Sequence, residues 1–311
     1  MTFQEIKSGI NAISHIRRSE LRSGVPVHGE QQKTKEQLLY ISLSTGLIHD
    51  SLSNLGVSQR ILHQNKVHYL SEDTYQREAK TKSSAQYLVV PDMIQIKITN
   101  NPINEFKDTL EELIHASCRG KVYLDMEGKQ VGRQTGYYIY DVRNQMRYYH
   151  GLNEAVVNNF KSNMMARNLQ GITNNLDVRS TDESRLLSVG QSHCIYIIVL
   201  ENIIKRISTK TGVDSSKIRD RFREGLFVEH PEILQTISQV YGQEGITLLA
   251  HLGLNDDMDL IRRIAEYFEG NRSYDECTQY LREKTGITDI HRFQYFLGQK
   301  DIQTIPLTWR Y

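Results

Sequence analysis

The sequence predicts an α+β protein, in which a mixed N-terminal region carrying an antiparallel sheet precedes a mainly helical C-terminal region. Two observations lead there. Short alternating stretches separated by turn residues recur up to about residue 150, the pattern of hairpins. From Asn153 the apolar period lengthens to that of a helix, and helix-start signals repeat after Thr211. The reading divides the chain into a mixed region 1–152 with a β meander, long helices over 153–210 that link or complete the core, and a helical bundle or short repeat-like region 211–311.

In chain order, "INAISHIRRSELRSG" reads as a helix stopped by Gly24 and Pro26. "EQLLYISLSTG" mixes helix formers with a strand-like end, and "SQRILHQNKVHYLSEDTYQREAK" is polar and ambiguous. "QYLVVPDMIQIKITN" alternates from Met93, with Met93, Gln95, Lys97 and Thr99 against Ile94, Ile96 and Ile98, and Pro91 marks a strand edge, a bulge or an interruption. "INEFKDTLEELIHASC" places Phe106, Leu110, Leu113 and Ile114 near one helical face. "KVYLDMEGKQVG" and "GYYIYDVRNQMRYYHG" each read as two short strands around a turn.

Further on, Leu152, Val156, Phe160 and Met164 are spaced to stack along one helical stripe. Ser180 and Glu183 fit a capping box, because hydroxyl and carboxylate can satisfy free amides at a helix start. A helix from there through "CIYIIVL" is apolar on most of its circumference, with a break expected near Gly190; a buried strand is the alternative for "CIYIIVL". Pro231 suits a first helical turn, Asn255 is a candidate cap for "DDMDLIRRIAEYF", and Ser273 with Glu276 forms another capping box. "KTGVDSSKIRDRF" and "KTGITDIHRFQYF" echo each other faintly, and two copies do not make a solenoid.

Composition bounds the function. Lys and Arg number 38 against 37 Asp and Glu, a formal +1. Phosphate binding draws most of its affinity from accumulated positive charge, so a protein partner is favoured over nucleic acid, which needs only a local basic groove. Cys118, Cys194 and Cys277 match neither a disulfide framework nor a zinc pattern. The opening residues lack a signal-peptide pattern and "CIYIIVL" is too short to span a bilayer, so the expected location is cytoplasmic or otherwise intracellular, with no membrane partner. Nothing indicates an oligomeric state.

Three chemistries are readable. First, in the tyrosine hairpin, Tyr138 and Tyr140 share one face of a strand and Arg147 with Tyr149 share one face of the next. Tyrosine and arginine anchor interfaces through broad contact and directed hydrogen bonds. This favours a macromolecule-binding protein that acts on other proteins through an aromatic surface and amphipathic helices. Tyr138, Arg147 and Tyr149 are the candidate contacts, Tyr137 and Tyr148 replace them if the other face is exposed, and Arg143 with Arg147 can meet phosphates.

Second, Asp92 and Glu127 can ligate Mg²⁺ while Lys129 stabilises phosphate charge, as in metal-assisted phosphodiester hydrolysis. Pro91-Asp92 followed by Glu127-Gly128-Lys129 resembles the pattern of restriction-endonuclease-like nucleases, which implies a Mg²⁺-dependent nuclease. In that family the Glu-x-Lys pair sits on a strand, whereas Gly128 here reads as a turn, and Asp125 is an alternative acid. No other cofactor is indicated. Third, His115 and Cys118 lie three apart on a helix and suggest a cysteine-dependent hydrolase or acyltransferase, with Cys194 beside His193 as a weaker site. The C-terminal position of Cys118 disfavours a thiolate.

Overall fold

The structure is a computed structural model and describes residues 30, 32–58, 64–79, 83–89, 93–177, 182–188, 191–228, 232–294, 296 and 303–306. The fold is α+β, as the alternation and helical periods indicate. Two compact units form, one from Met1–Cys118 with Phe160–Ser188 and the other from Arg119–Asn159 with Val189–Tyr311.

The first unit has a mixed three-stranded sheet. Its strands are β1 (Val67–Leu70), β2 (Ala85–Leu88) and β3 (Met93–Lys97), in the order β1-β3-β2, with β3 parallel to β1 and antiparallel to β2. Helix α1 (Lys35–Asn54) precedes the sheet, α2 (Glu72–Ala79) follows β1, and α3 (Pro102–Ser117) follows β3. The strand-like end of "EQLLYISLSTG" is therefore helical. Thr34 and Gln37 close a capping box at the start of α1, and Tyr40, Ile41, Leu47, Ile48 and Leu52 supply its buried face. The ambiguous polar stretch holds β1 and α2, which were hidden because Val67, His68, Tyr69 and Leu70 are buried without alternation.

Phe106, Leu110, Leu113 and Ile114 of α3 are all buried, as their spacing indicates. The Tyr69 hydroxyl is 2.7 Å from Thr109 Oγ1, which satisfies both inside the core. On the sheet, His68, Gln95 and Gln86 form one cross-strand row. Gln86 donates to Gln95 Oε1 at 2.7 Å, and His68 Nδ1 lies 2.7 Å from Glu30 Oε2.

The second unit holds an antiparallel sheet in the order β7-β6-β5-β4-β8, from β4 (Gly120–Leu124), β5 (Gln130–Thr135), β6 (Tyr138–Asp141), β7 (Met146–Tyr148) and β8 (Gln303–Pro306). The meander is the one expected from the turns. Its fifth strand comes from the far C-terminal sequence, with Lys121 opposite Pro306 and Leu124 opposite Gln303. Among the described residues between 214 and 300 there is no strand.

Helix α4 (His150–Arg167) follows β7, and the division between units falls within it. Leu152, Val156, Phe160 and Met164 are all buried. Short helices α5 (Leu169–Leu176) and α6 (Glu183–Leu187) come next; the Ser180 half of the expected capping box lies outside the described residues. Helix α7 (Gln191–Thr211) is separate from α6 and contains "CIYIIVL", so the strand alternative is not the one adopted.

Helices α8 (Ser215–Glu224), α9 (Glu232–His251), α10 (Met258–Glu269) and α11 (Tyr274–Thr285) complete the second unit. Asn255 does not cap α10: Asp257 does, accepting from the amides of Asp259 and Leu260, while Asn255 has φ 55° within a 3₁₀ turn. The Ser273–Glu276 capping box is formed. Both Lys-Thr-Gly segments end helices on a left-handed glycine, but the second leads to a 3₁₀ turn at Arg292–Gln294 where the first leads to α8. The helix expected around residues 10–24 and the Pro231 position lie outside the described residues.

Candidate functional site

In an antiparallel sheet, directly opposed residues project from the same face. The turn at Gly136-Tyr137 sets Thr135 opposite Tyr138 and Arg133 opposite Tyr140. The turn at 142–145 then sets Tyr140 opposite Arg147. One row therefore runs Val122, Arg133, Tyr140, Arg147 across β4 to β7. It is buried at Val122, half-buried at Arg133 and Tyr140, and exposed at Arg147.

Within the row the Arg133 guanidinium lies over the Tyr140 ring, 5.0 Å from its centroid, an attraction of about 0.5–1 kcal/mol at exposed sites. Arg133 Nε is buried without a hydrogen-bond partner. Among the described residues neither Arg133 nor Arg147 forms an ion pair. Tyr138 occupies the same face one row along, its ring edge-on to His150 at 5.7 Å. His150 Nδ1 is 3.8 Å from Glu154 Oε1. Burial pushes the Tyr138 phenol above its ordinary range while Arg147 and Arg133 draw it back, so its proton is retained at neutral pH and is available for donation.

The reverse face is closed. Ile139 and Tyr148 are buried there, and a Cβ at Gly132 would lie 2.6 Å from the Phe296 ring. Asp141, 1% exposed, accepts from the Arg143 and Asn144 amides and from Arg292 Nε at 3.2 Å. The two faces thus differ in kind: one is packed and satisfied, the other ends in open arginine.

Of the sequence-based contacts, Tyr138 and Arg147 lie on the open face, and Tyr149 does not. Tyr149 is 1% exposed, with its ring edge-on to Phe293 at 5.7 Å. The cause is local: β7 ends at Tyr148, and Tyr149 takes φ 56°, which breaks the alternation that would have set it beside Arg147. Tyr137 and Tyr148 are also buried, so the alternative face offers no aromatic surface. Arg143 is paired with Asp125 and is not part of the row. Arg133 and Tyr140 complete it; the lengths of the two hairpin turns, counted together, were the signal that could have found Arg133.

Glu127 and Lys129 are exposed in the turn between β4 and β5, not on a strand. Asp125 organises that turn by accepting from the Glu127 and Lys129 amides at 3.0 and 2.9 Å. Burial opposes its charge, but the Lys129 amide and the Arg143 side chain outweigh this and hold the Asp125 carboxyl below its usual range. Asp92 lies outside the described residues. Cys118 is buried at the C-terminal cap of α3 and donates from Sγ to the Ile114 carbonyl at 3.2 Å, while its amide donates to the carbonyls of Ile114 and His115. His115 is half-buried one turn back, and Cys194 is exposed on α7.

In the first unit, a cleft of about 350 Å³ adjoins the starts of α1 and α3. Its buried acid, Glu105, accepts from the Thr99 and Asn100 amides through Oε1, so this carboxylate fixes the loop before α3. Among the described residues no helix is long and apolar enough to cross a membrane. Searches against protein-family models, curated proteins and solved structures find no match to this chain.

Proposed function

We propose that this is a macromolecule-binding protein whose partner is another protein, engaged through the open face of β5, β6 and β7. The observation that supports this reading is the Arg133–Tyr140–Arg147 row, which presents two guanidiniums that have no acidic partner among the described residues. An arginine stacked on tyrosine is held in place before the partner arrives, so little rotamer freedom is lost on contact. Charge complementarity sets the occupant as an acidic protein segment. Its carboxylates meet the arginine forks, and its apolar atoms cover the tyrosine ring.

The test is site-specific photocrosslinking of the full chain in extracts of its source. A crosslinking residue at Gln145, exposed in the turn before β7, leaves the row intact and should yield one discrete protein adduct that a control at Glu283, exposed on α11, does not. Arg133→Ala and Tyr140→Ala should each reduce that adduct severalfold. Equal labelling from both positions, or an adduct indifferent to both substitutions, would sink the reading.

A further inference from the structure

The open face has a feature that general acidity of the partner does not use. Arg133 sits on β5 and Arg147 on β7, with Tyr140 between them on β6. Strands lie about 4.8 Å apart, so the two Cα atoms are separated by roughly 10 Å, well within the combined reach of two arginine side chains. Arg133 already leans over β6, since its guanidinium is above the Tyr140 ring. Both guanidiniums also lie close enough to Tyr138 to act electrostatically on its hydroxyl. The register therefore brings two arginines and Tyr138 to one patch of the open face.

We infer that Arg133, Arg147 and the Tyr138 hydroxyl form a site for a single phosphate monoester carried by the bound protein segment. This rests on the protein-binding reading and narrows it. A carboxylate carries a single negative charge, which one guanidinium fork balances. A phosphate monoester is tetrahedral, carries close to two negative charges at neutral pH and offers three acceptor oxygens, enough for two forks and a hydroxyl. Glu154 lies on the same side, beside His150, and the two arginines outnumber it. Its charge opposes any anion bound there, so both guanidiniums must act together to hold one.

Two measurements on the full chain test this. The first titrates inorganic phosphate, at constant ionic strength against chloride, while following the arginine Nε–H resonances. Saturable shifts at Arg133 and Arg147 are expected, lost in Arg133→Lys and Arg147→Lys, which keep the charge and remove the fork. Shifts that chloride reproduces, or that survive both lysine variants, would overturn the site. The second compares two degenerate acidic peptide pools that differ only at a central phosphoserine or glutamate. The phosphorylated pool should bind about tenfold more tightly, and Tyr138→Phe should reduce that preference severalfold. Equal binding of the two pools would remove the phosphate site and leave the protein-binding reading intact. Absence of binding by either pool, together with a failed Gln145 crosslink, would remove both.

Discussion

Each unit carries a three-residue polar row across three neighbouring strands, and the two rows have opposite fates. In the first unit His68, Gln95 and Gln86 lie in register, with His68 1% and Gln95 4% exposed. Their polar atoms are spent on near neighbours: Gln86 on Gln95, and His68 on Glu30, which also takes Lys33 at 3.0 Å. In the second unit Arg133, Tyr140 and Arg147 are equally in register but remain half-buried to exposed, and their cations are unpaired among the described residues. A sheet tolerates a buried polar row only when its members satisfy one another. The second row is less buried, and its arginines form no ion pair among the described residues. Satisfaction, more than polarity, separates the structural row from the row we propose for recognition.

The most damaging way to probe this contrast is to open the closed row. His68→Ala removes a partner from the largely buried Glu30 carboxylate and should cost about 3 kcal/mol. Urea denaturation would measure it, and amide exchange should speed up first in β1 and β3. A loss below 0.5 kcal/mol would mean the row is not a structural unit. Next in size is Gly132→Ala on the packed side of the second sheet. The new methyl would meet the Phe296 ring at 2.6 Å and the Tyr140 carbonyl at 3.1 Å, for an overpacking cost of about 1–3 kcal/mol, readable as a lowered thermal midpoint.

Acid should separate the two units. His251, buried in the second unit with Nε2 3.0 Å from the Ile290 carbonyl, has its pKa lowered from 6.5, chiefly by burial. Below about pH 6.5 the unfolded chain takes a proton that the folded ring refuses, so stability falls as pH drops from there towards the lowered folded value. Glu30 behaves differently. Burial raises its pKa, but His68 and Lys33 outweigh burial and lower it from 4.5. Its contribution is complete above about pH 4.5 and is lost only as pH falls through the lowered value. Amide exchange followed from pH 7.5 to 4 should therefore show α9 and its surroundings loosening before β1–β3. The reverse order would contradict both burial assignments. The smallest effect belongs to the open row: Arg147→Ala should change stability by no more than about 0.5 kcal/mol, because exposed side chains without partners contribute little. A large destabilisation in a denaturation curve would make the row structural after all.

Much of this organisation could be read along the chain. The helix over Pro102–Ser117, the stripe from Leu152 to Met164 and the Ser273 capping box follow from spacing and cap chemistry, which act within a few residues. The meander followed from its turns. What escaped were features decided at a distance or by one dihedral. The strand Val67–Leu70 is buried at every position, so it lacks the alternation that marks a half-exposed strand. Tyr149 was misplaced by one positive φ. Of the candidate site, Tyr138 and Arg147 were legible because both lie in one hairpin, whereas Arg133 comes from the preceding strand and joins them only through register. The mixed sheet of the first unit needs a parallel pairing of β1 with β3, and no local pattern announces one.

The outer strand β8 has a consequence for how this protein is made. Lys121 pairs with Pro306 and Leu124 with Gln303, so β4 acquires its second neighbour only after the intervening chain has been synthesised. Hairpins β4–β5, β5–β6 and β6–β7 close over short loops and can form early, but contacts between distant positions must first overcome the entropy of closing a long loop. During translation the outer edge of β4 therefore stands bare, with Val122, Tyr123 and Leu124 on it, until β8 arrives. The nascent protein spends that interval as an adhesive half-sheet, and chaperone occupancy or aggregation during synthesis should depend on this edge more than on any other part of the second unit.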